Sequence, residues 1–199
     1  MSAPPAVPAA APVPAGARAA RRCVAALTAR GATVAVAESL TAGQVTARLA
    51  DVPGASTVLR GAVVAYATPL KHEVLGVDVG LLSERGPVDE DVARQMCAGV
   101  ARLLGADHAV ATTGVAGPGA ADGHDAGTVW IAALGPAGTR TRLLRLAGTR
   151  PAVRRAATLA ALALLGELVA DEVNRGRAGA DAPATSAATP QIRSLSADR

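Results

Sequence analysis

Short apolar runs alternate along this chain with longer segments of helical periodicity, and this alternation constrains the fold most strongly. The runs TVAVA (33–37) and GAVVAY (61–66) are apolar and rich in β-branched residues, which is typical of strands buried on both faces. The segment that opens at Pro87 has acidic residues in its first turn and apolar residues at helical spacing. We therefore expect an α/β fold, a single-domain three-layer sandwich in which helices cover both faces of a mixed, mostly parallel sheet.

The pattern predicts helices and strands at definite positions. Helices are expected at 18–30, 41–50, 87–104 and 151–173, with a helical turn at 69–75, and strands at 33–37, 61–66, 108–112, 127–134 and 139–146, the last two joined as a hairpin. The Pro/Ala-rich residues 1–17 predict a flexible arm, and residues 176–199, which lack periodicity, predict a flexible tail. The folded domain is therefore expected at 18–175.

Composition excludes several classes of protein. Aromatic residues make up only 1% of the chain, so Ala, Val and Leu must build the core. Cys23 and Cys97 are too few for a disulfide framework or a four-ligand zinc site, and each lies on the apolar side of a predicted helix, which indicates buried, inert thiols. Neither a signal-peptide pattern nor a run of about 18 strongly apolar residues occurs. We expect a soluble cytoplasmic protein with no membrane partner.

The charge pattern and the scarcity of aromatic residues disfavour a nucleic-acid partner. The formal net charge is +4 at pH 7, and one Trp and one Tyr are the only aromatic residues. Single-strand binders stack bases on aromatic side chains, and groove-reading helices concentrate cations on one element. This chain has neither feature, so we expect no nucleic-acid binding.

The first candidate for chemistry is Ser39, in the segment ESLTAG (38–43) that joins a predicted strand to a predicted helix. A serine at this position lies near helix N–H groups, which can stabilise a developing negative charge. The structural alternative is that Ser39 or Thr41 only caps the helix. Spacing alone leaves both interpretations open.

The second candidate is Lys71, the single lysine beside 19 arginines. Arginine does not lose its proton under ordinary conditions, whereas a buried lysine can, so a general base at this position requires lysine. A solvated lysine is the alternative, and His72 is a rival base that points in a different direction from Lys71 on a helix.

The third candidate is the glycine-rich segment TTGVAGPG (112–119), whose glycines let the backbone approach a ligand closely. The order of its glycines matches neither a dinucleotide fingerprint nor a P-loop, and an ordinary surface loop is the alternative. Asp122, His124 and Asp125 follow, and a solvated loop explains them better than a metal site does. We expect no metal.

Several motifs together carry a family resemblance. They are AESLTAG (37–43), DVPGAS (51–56), GAVVAY (61–66) followed by Lys71, GPVDEDVA (86–93), TTGVAGPG (112–119), GTVWIA (127–132) and GTRPAVRRAA (148–157). In this order and spacing they resemble the C-terminal domain of the CinA competence-damage-inducible proteins, which also exists as a stand-alone nicotinamide-nucleotide amidase. The resemblance leaves out both termini.

The resemblance implies hydrolysis of the carboxamide of nicotinamide mononucleotide, without a cofactor, to nicotinic acid mononucleotide and ammonia. It implies that Ser39 is the nucleophile, Lys71 the general base and Tyr66 an assisting hydroxyl. Backbone amides at Thr41, Ala42 and Gly43 are our candidates for oxyanion and substrate contacts, and the nucleotide pocket is assigned to Thr113, Gly114 and Gly117, with Arg150 as a phosphate contact. A homodimer is implied as well.

This chain departs from the family pattern around both catalytic candidates. Leu40 and Ala42 alter the loop beside Ser39, and Ala67, Thr68 and Pro69 replace a more polar approach to Lys71. An asparagine that could contact substrate is missing there. The alternative function is therefore a nucleotide-binding module of the same fold with weakened or lost catalysis.

Overall fold

The computed structural model describes residues 15–180 as eleven regular helices and strands and one short 3-10 turn. In chain order these are α1 (Ala15–Arg30), β1 (Val34–Glu38), α2 (Gln44–Ala50), the 3-10 turn (Ala55–Thr57), β2 (Leu59–Val64), α3 (Thr68–Glu73), α4 (Val79–Arg85), α5 (Glu90–Leu104), β3 (His108–Gly114), β4 (Thr128–Gly135), β5 (Gly138–Arg145) and α6 (Arg150–Ala180). Helices and strands alternate as the apolar pattern predicts.

The five strands form one mixed sheet in the order β2-β1-β3-β4-β5. β1 pairs in parallel with both β2 and β3, whereas β4 runs antiparallel to β3 and to β5. The β4–β5 hairpin closes at the pair Gly135 and Gly138. The predicted mixed sheet is therefore confirmed, with two parallel and two antiparallel strand pairs.

Two apolar cores lie on opposite faces of the sheet, because successive strand residues point to opposite sides. In β1, Val34 and Val36 belong to the core formed with α1, α2 and α6. Ala35 and Ala37 belong to the core formed with α5 and with Leu75. Small alanines on the second face let α5 pack closely, and the result is the expected three-layer sandwich.

Two local predictions need correction. α2 begins at Gln44 rather than at residue 41, because residues 39–43 form a turn with Ala42 and Gly43 at positive φ. α4 was not predicted at all, since none of its residues is buried and a helix without a buried stripe leaves no periodic apolar signal. Its start is nevertheless fixed by Asp78, whose carboxylate accepts a hydrogen bond from Leu81 N at 2.7 Å.

The ends of the described chain extend the predicted helices. α1 begins at Ala15 and α6 runs to Ala180, so both helices enter the segments predicted as arm and tail. The remainder of those segments, 1–14 and 181–199, lies outside the described residues. No helix within 15–180 is long and apolar enough to cross a bilayer.

Both cysteines are buried, as predicted. Cys23 Sγ donates to Leu162 O at 3.3 Å, and Cys97 Sγ donates to Ala132 O at 3.7 Å. Burial raises the pKa of the Cys23 thiol to about 11 and raises that of Cys97 as well. Since the thiolate is the reactive form, both side chains act as small apolar groups in the core.

Candidate active site

The carboxyl ends of the three parallel strands meet at one edge of the sheet, where ligands of α/β folds bind. Glu38, the last residue of β1, lies beside Val64 of β2 and Thr112 of β3. The loops that follow these strands therefore emerge together. They carry Ser39, Tyr66 and the glycine-rich segment to the same place.

A cavity of about 310 Å³ opens at this edge. Seven of the ten residues predicted as site residues line it: Ser39, Tyr66, Lys71, Thr113, Gly114, Gly117 and Arg150. They come from four separate segments of the chain, at 39, 66–71, 113–117 and 150. The fold thus brings the three separate sequence candidates, the serine, the lysine and the glycine-rich loop, into one space.

Lys71 is the most unusual residue of the cavity, because its side chain is only 1% exposed. Its Nζ donates to the Ala65 carbonyl at 3.4 Å and approaches Met96 Sδ at 3.9 Å. Within residues 15–180 no carboxylate forms an ion pair with it. Burial lowers the pKa of Lys71 from 10.5 to about 8, although the negative charge of Asp122 acts in the opposite direction. The predicted alternative of a solvated lysine is wrong.

His72, the rival base, faces elsewhere. It is exposed, and its Nδ1 lies 2.8 Å from the Val77 carbonyl. It does not line the cavity as the described residues form it. The expectation that Lys71 and His72 do not share a site is therefore met by the geometry.

Ser39 sits in a turn that the buried Glu38 carboxylate holds. Glu38 Oε2 accepts from Gly43 N at 2.9 Å and from Val45 N at 3.2 Å, and Oε1 accepts from Thr46 N at 2.9 Å and Thr46 Oγ1 at 2.6 Å. Glu38 therefore satisfies the first amides of α2, and the capping role considered for Ser39 or Thr41 does not apply. The Ser39 side chain is left to line the cavity.

The structure contradicts the predicted placement of Thr41, Ala42 and Gly43. Gly43 N donates to Glu38, and Ala42 N donates to Ser39 O at 3.1 Å. Thr41 is fully buried, with its hydroxyl 2.7 Å from Thr112 Oγ1. Within the described chain none of the three lines the cavity, so the oxyanion role predicted for these amides does not fit. The reason is that Glu38 uses the amide of Gly43, the turn uses that of Ala42, and Thr41 is buried outside the cavity lining.

Tyr66 and Arg150 form the exposed rim of the cavity. Tyr66 is 55% exposed, and its hydroxyl is hydrogen-bonded by Arg150 Nη2. Arg150 Nη1 also donates to the Gly117 carbonyl at 2.7 Å. One guanidinium thus fixes the Tyr66 hydroxyl and the glycine-rich loop relative to each other, beside the buried amine of Lys71.

The glycine-rich loop needs glycine at one position for steric reasons. Gly114 has φ +157°, and a Cβ there would lie 2.5 Å from the Thr128 carbonyl oxygen of the neighbouring strand. Next to it, Thr113 Oγ1 donates to the Pro87 carbonyl at 2.6 Å and ties the end of β3 to the start of the α5 segment. The loop is therefore anchored on both sides of the cavity.

Comparison with known proteins now decides the family. The family model of the CinA C-terminal domain matches residues 17–169. This chain belongs to the CinA C-terminal domain family. The resemblance drawn from the motifs is thereby confirmed.

Curated CinA relatives support the same assignment. The chain is 50% identical over 141 residues to a CinA-like protein of Frankia casuarinae, covering 71% of this chain and 33% of the relative. It is 49% identical over 129 residues to a putative competence-damage inducible protein of Shouchella clausii, covering 64% of this chain and 31% of the relative. The chain thus spans about a third of the length of these relatives.

Solved CinA structures share the fold. A CinA superfamily protein from Klebsiella pneumoniae matches with a TM-score of 0.75 and 35% identity, covering 78% of this chain and 98% of that chain. A competence/damage inducible protein from Agrobacterium tumefaciens matches with a TM-score of 0.75 and 31% identity, covering 80% and 99%.

Three residues that matter to the CinA site were missed by sequence reasoning. Glu38 holds the Ser39 turn, and Asp122 supplies a carboxylate to the cavity. Arg154 of α6 donates to the carbonyls of Leu40 and Thr41 at 2.8 and 2.9 Å and fixes the same turn from the other side. For Glu38 the sequence offered one signal, which is an acidic residue directly after an apolar strand and directly before the candidate serine. The Arg154 contact spans more than a hundred residues, and no local pattern indicates it.

Proposed function

We propose that this chain hydrolyses the carboxamide of nicotinamide mononucleotide to nicotinic acid mononucleotide and ammonia. The observation that carries the proposal is that Ser39 and a buried lysine without an ion-pair partner line the same cavity. A neutral amine near a hydroxyl is the arrangement that a Ser–Lys nucleophile requires. The family assignment supports the fold and site class.

The reaction then proceeds in two balanced stages. The Lys71 amine takes the proton of the Ser39 hydroxyl while the oxygen attacks the carboxamide carbon, and the ammonium formed at Lys71 counters the charge on the carbonyl oxygen. The C–N bond breaks, Lys71 returns the proton to the departing nitrogen, and ammonia leaves. Water, deprotonated by Lys71, cleaves the acyl ester, releasing the acid and restoring Ser39.

The cavity rim suits the rest of the nucleotide. Arg150 supplies a guanidinium, which binds phosphate well, and the loop at Gly114 and Gly117 allows close approach to its backbone. The hydrogen bond from Arg150 to the Tyr66 hydroxyl supports a role for Tyr66 in orienting the reacting groups. We propose Thr113, Gly114, Gly117 and Arg150 as substrate contacts, and no metal or cofactor takes part in these steps.

A second candidate function is nucleotide binding without catalysis. The observation that favours it is the hydrogen bonding of Lys71 Nζ, which is directed to Ala65 O and Met96 Sδ. No hydrogen bond within residues 15–180 links it to Ser39. Pro69 also lies in the first turn of α3, the helix that carries Lys71.

The test is ammonia release from nicotinamide mononucleotide by the wild-type chain and by Ser39→Ala. We expect release by the wild type and a loss of at least about a thousand-fold in kcat for Ser39→Ala. Ser83→Ala is the matched control, because Ser83 is exposed on α4 and lies outside the cavity lining. Tight nucleotide binding by calorimetry without ammonia release would select the binding module.

The homodimer implied by the family resemblance and the cytoplasmic location expected from the composition also stay proposals. Sedimentation equilibrium of the purified chain tests the first. A mass near twice 19.6 kDa is the expected result, and a concentration-independent monomer mass would contradict it.

A further inference from the structure

Asp122 is an exposed residue of the cavity lining, and it lies in a tight turn that has no part in the proposed chemistry. Ala121 N donates to His124 O at 3.0 Å, and His124 N donates to Ala121 O at 2.9 Å. Between them Asp122 and Gly123 have φ +52° and +76°, which is a two-residue turn of the type that favours the Asp-Gly pair. The turn is therefore locally specified, and asparagine fits the same conformation.

The carboxylate of Asp122 has no structural partner that accounts for it. Within residues 15–180 no hydrogen bond or ion pair engages its side chain. Three acids at the starts of α4 and α5 behave differently: Asp78 and Asp89 cap helices, and Asp91 pairs with Arg85 at 2.7 Å. Asp122 instead lines the cavity.

The cavity lining combines charges of both signs. Lys71 and Arg150 are its basic residues, and Asp122 is the one acidic residue among the described residues that line it. The amide proposed as substrate is also bipolar, because its N-alkylated pyridine ring is a fixed cation and its phosphate is an anion. Arg150 suits the phosphate, and Asp122 is the group whose charge suits the ring.

We propose that Asp122 is a specificity-determining residue whose carboxylate pairs with the positively charged ring of the bound amide and so selects cationic over neutral rings. The proposal rests on the proposed function for the identity of the ring. It adds a role for a residue outside the Ser39, Lys71 and Tyr66 set.

Pairing of Asp122 with a cationic ring also links binding to the charge of Lys71. The titratable or charged groups that share the cavity with Lys71 are Tyr66, Asp122 and Arg150, and its other contacts are Ala65 O and Met96 Sδ. In the empty site the Asp122 charge raises the pKa of Lys71 against the effect of burial. A bound cation offsets that charge and adds its own repulsion, so the neutral amine is favoured when such a substrate arrives.

The first experiment measures binding in the Ser39→Ala protein, so that substrate stays intact. Nicotinamide mononucleotide is compared with its 1,4-dihydro form, which has an uncharged ring and the same phosphate. Compared with Ser39→Ala alone, the double variant Ser39→Ala/Asp122→Asn is expected to bind the cationic form roughly five- to tenfold more weakly. Its binding of the neutral form should change less than about twofold. Asp125→Asn is the matched control, since it lies in the same loop outside the cavity lining.

Equal loss for both ring forms, or no loss for the cationic form, would overturn the proposal. A loss confined to the cationic form but reproduced by Asp125→Asn would also overturn it, because a general field of the loop would then suffice.

The second experiment needs neither phosphate nor turnover. Lys71 is the only lysine of the chain, so lysine labelled at Cε gives a single NMR titration curve. In Ser39→Ala, 1-methylnicotinamide is expected to lower the Lys71 midpoint by at least about half a pH unit, and neutral nicotinamide is expected to leave it unchanged. Asp122→Asn should itself lower the midpoint of the empty site and should reduce the further effect of the cation.

The two proposals fail separately. If the chain releases no ammonia but still prefers cationic rings through Asp122, the proposed reaction is wrong and the role of Asp122 stands. If the chain releases ammonia but neither experiment shows a preference for cationic rings, the proposed reaction stands and the role of Asp122 is wrong.

Discussion

An ionisable side chain is buried at each of two opposite edges of the sheet, and the two side chains differ in whether a carboxylate pairs with them. At the amino edge, where β3 begins, His108 is 1% exposed and its Nε2 lies 2.9 Å from Glu172 Oε2, with Arg30 Nη2 at 3.6 Å from the same oxygen. At the carboxyl edge, Lys71 is equally buried, but among the described residues the hydrogen-bond partners of its Nζ are a carbonyl and a thioether.

The difference indicates that the buried His108–Glu172 pair has a structural role, whereas the buried Lys71 amine has a chemical one. Glu172 accepts a hydrogen bond at His108 Nε2 and joins β3 to α6, so the burial of the carboxylate is compensated, whereas His108 Nδ1 is buried without a hydrogen-bond partner among the described residues. Lys71 keeps its amine without a compensating carboxylate within bonding distance, so burial lowers its pKa to about 8. A fold retains such an arrangement at a cost in stability, and strongly shifted groups in clefts mark functional sites.

The largest expected effect is on activity at the carboxyl edge. Lys71→Arg keeps the positive charge but removes the capacity to release a proton, so kcat for ammonia release should fall at least about a thousand-fold. The assay is run on protein whose fold is confirmed by circular dichroism. Full turnover by Lys71→Arg would contradict the assignment of the base.

The next effect is on stability at the amino edge. Glu172→Ala leaves His108 buried beside an empty acceptor position and should lower the free energy of unfolding by about 3 kcal/mol, with kcat within about twofold of wild type. Urea unfolding measures the first quantity. Glu167→Ala is the control, because the Glu167–Arg142 pair is about half exposed on both sides and should contribute less than about 1 kcal/mol. Equal losses for the two variants would break the contrast between the edges.

A smaller effect of opposite sign is expected from Lys71→Met. The folded chain binds the Lys71 proton with a pKa of about 8 against 10.5 ordinarily, so between these values the unfolded state binds more protons and stability rises with pH. At pH 7 the Lys71 amine is charged in both states, so the folded chain bears the full free-energy cost of burying that charge. Lys71→Met removes this cost and should raise the free energy of unfolding by about 2 kcal/mol. The gain should shrink as pH rises through 8 toward 10.5. A destabilised Lys71→Met with no pH trend would show that the amine is not strained by burial.

The sequence predicts this fold well where the apolar pattern is periodic and poorly where it is not. TVAVA predicts β1 because a strand buried at every residue consists of consecutive apolar residues. GAVVAY also predicts a strand, but β2 covers Leu59–Val64, lies at the edge of the sheet and has no buried residue. α4 has no buried residue and therefore left no periodic signal. The pairing of His108 with Glu172 joins residues 64 positions apart, and only the tertiary fold brings them together.

In the candidate site too, residues with a local chemical signal were predicted, and roles that depend on hydrogen-bond partners were not. Ser39, Lys71 and the glycine-rich segment were each predicted from local chemistry, and the parallel strands place all three at one cavity. The roles of Thr41, Ala42 and Gly43 were misplaced because Glu38 and the turn itself use the amides of Gly43 and Ala42, and Thr41 is buried. Spacing cannot show which partner an amide chooses. The catalytic roles of Ser39, Lys71 and Tyr66 stay predictions until activity is measured.

The most direct test of the account is the protonation midpoint of Lys71 in the wild-type chain. Because the chain has one lysine, a single Cε-labelled NMR signal followed from pH 6 to pH 12 reports this side chain alone. A buried amine available as a base should give a midpoint near 8. A midpoint near 10.5, the ordinary value for a solvated lysine, would contradict the assignment of Lys71 as the base that activates Ser39.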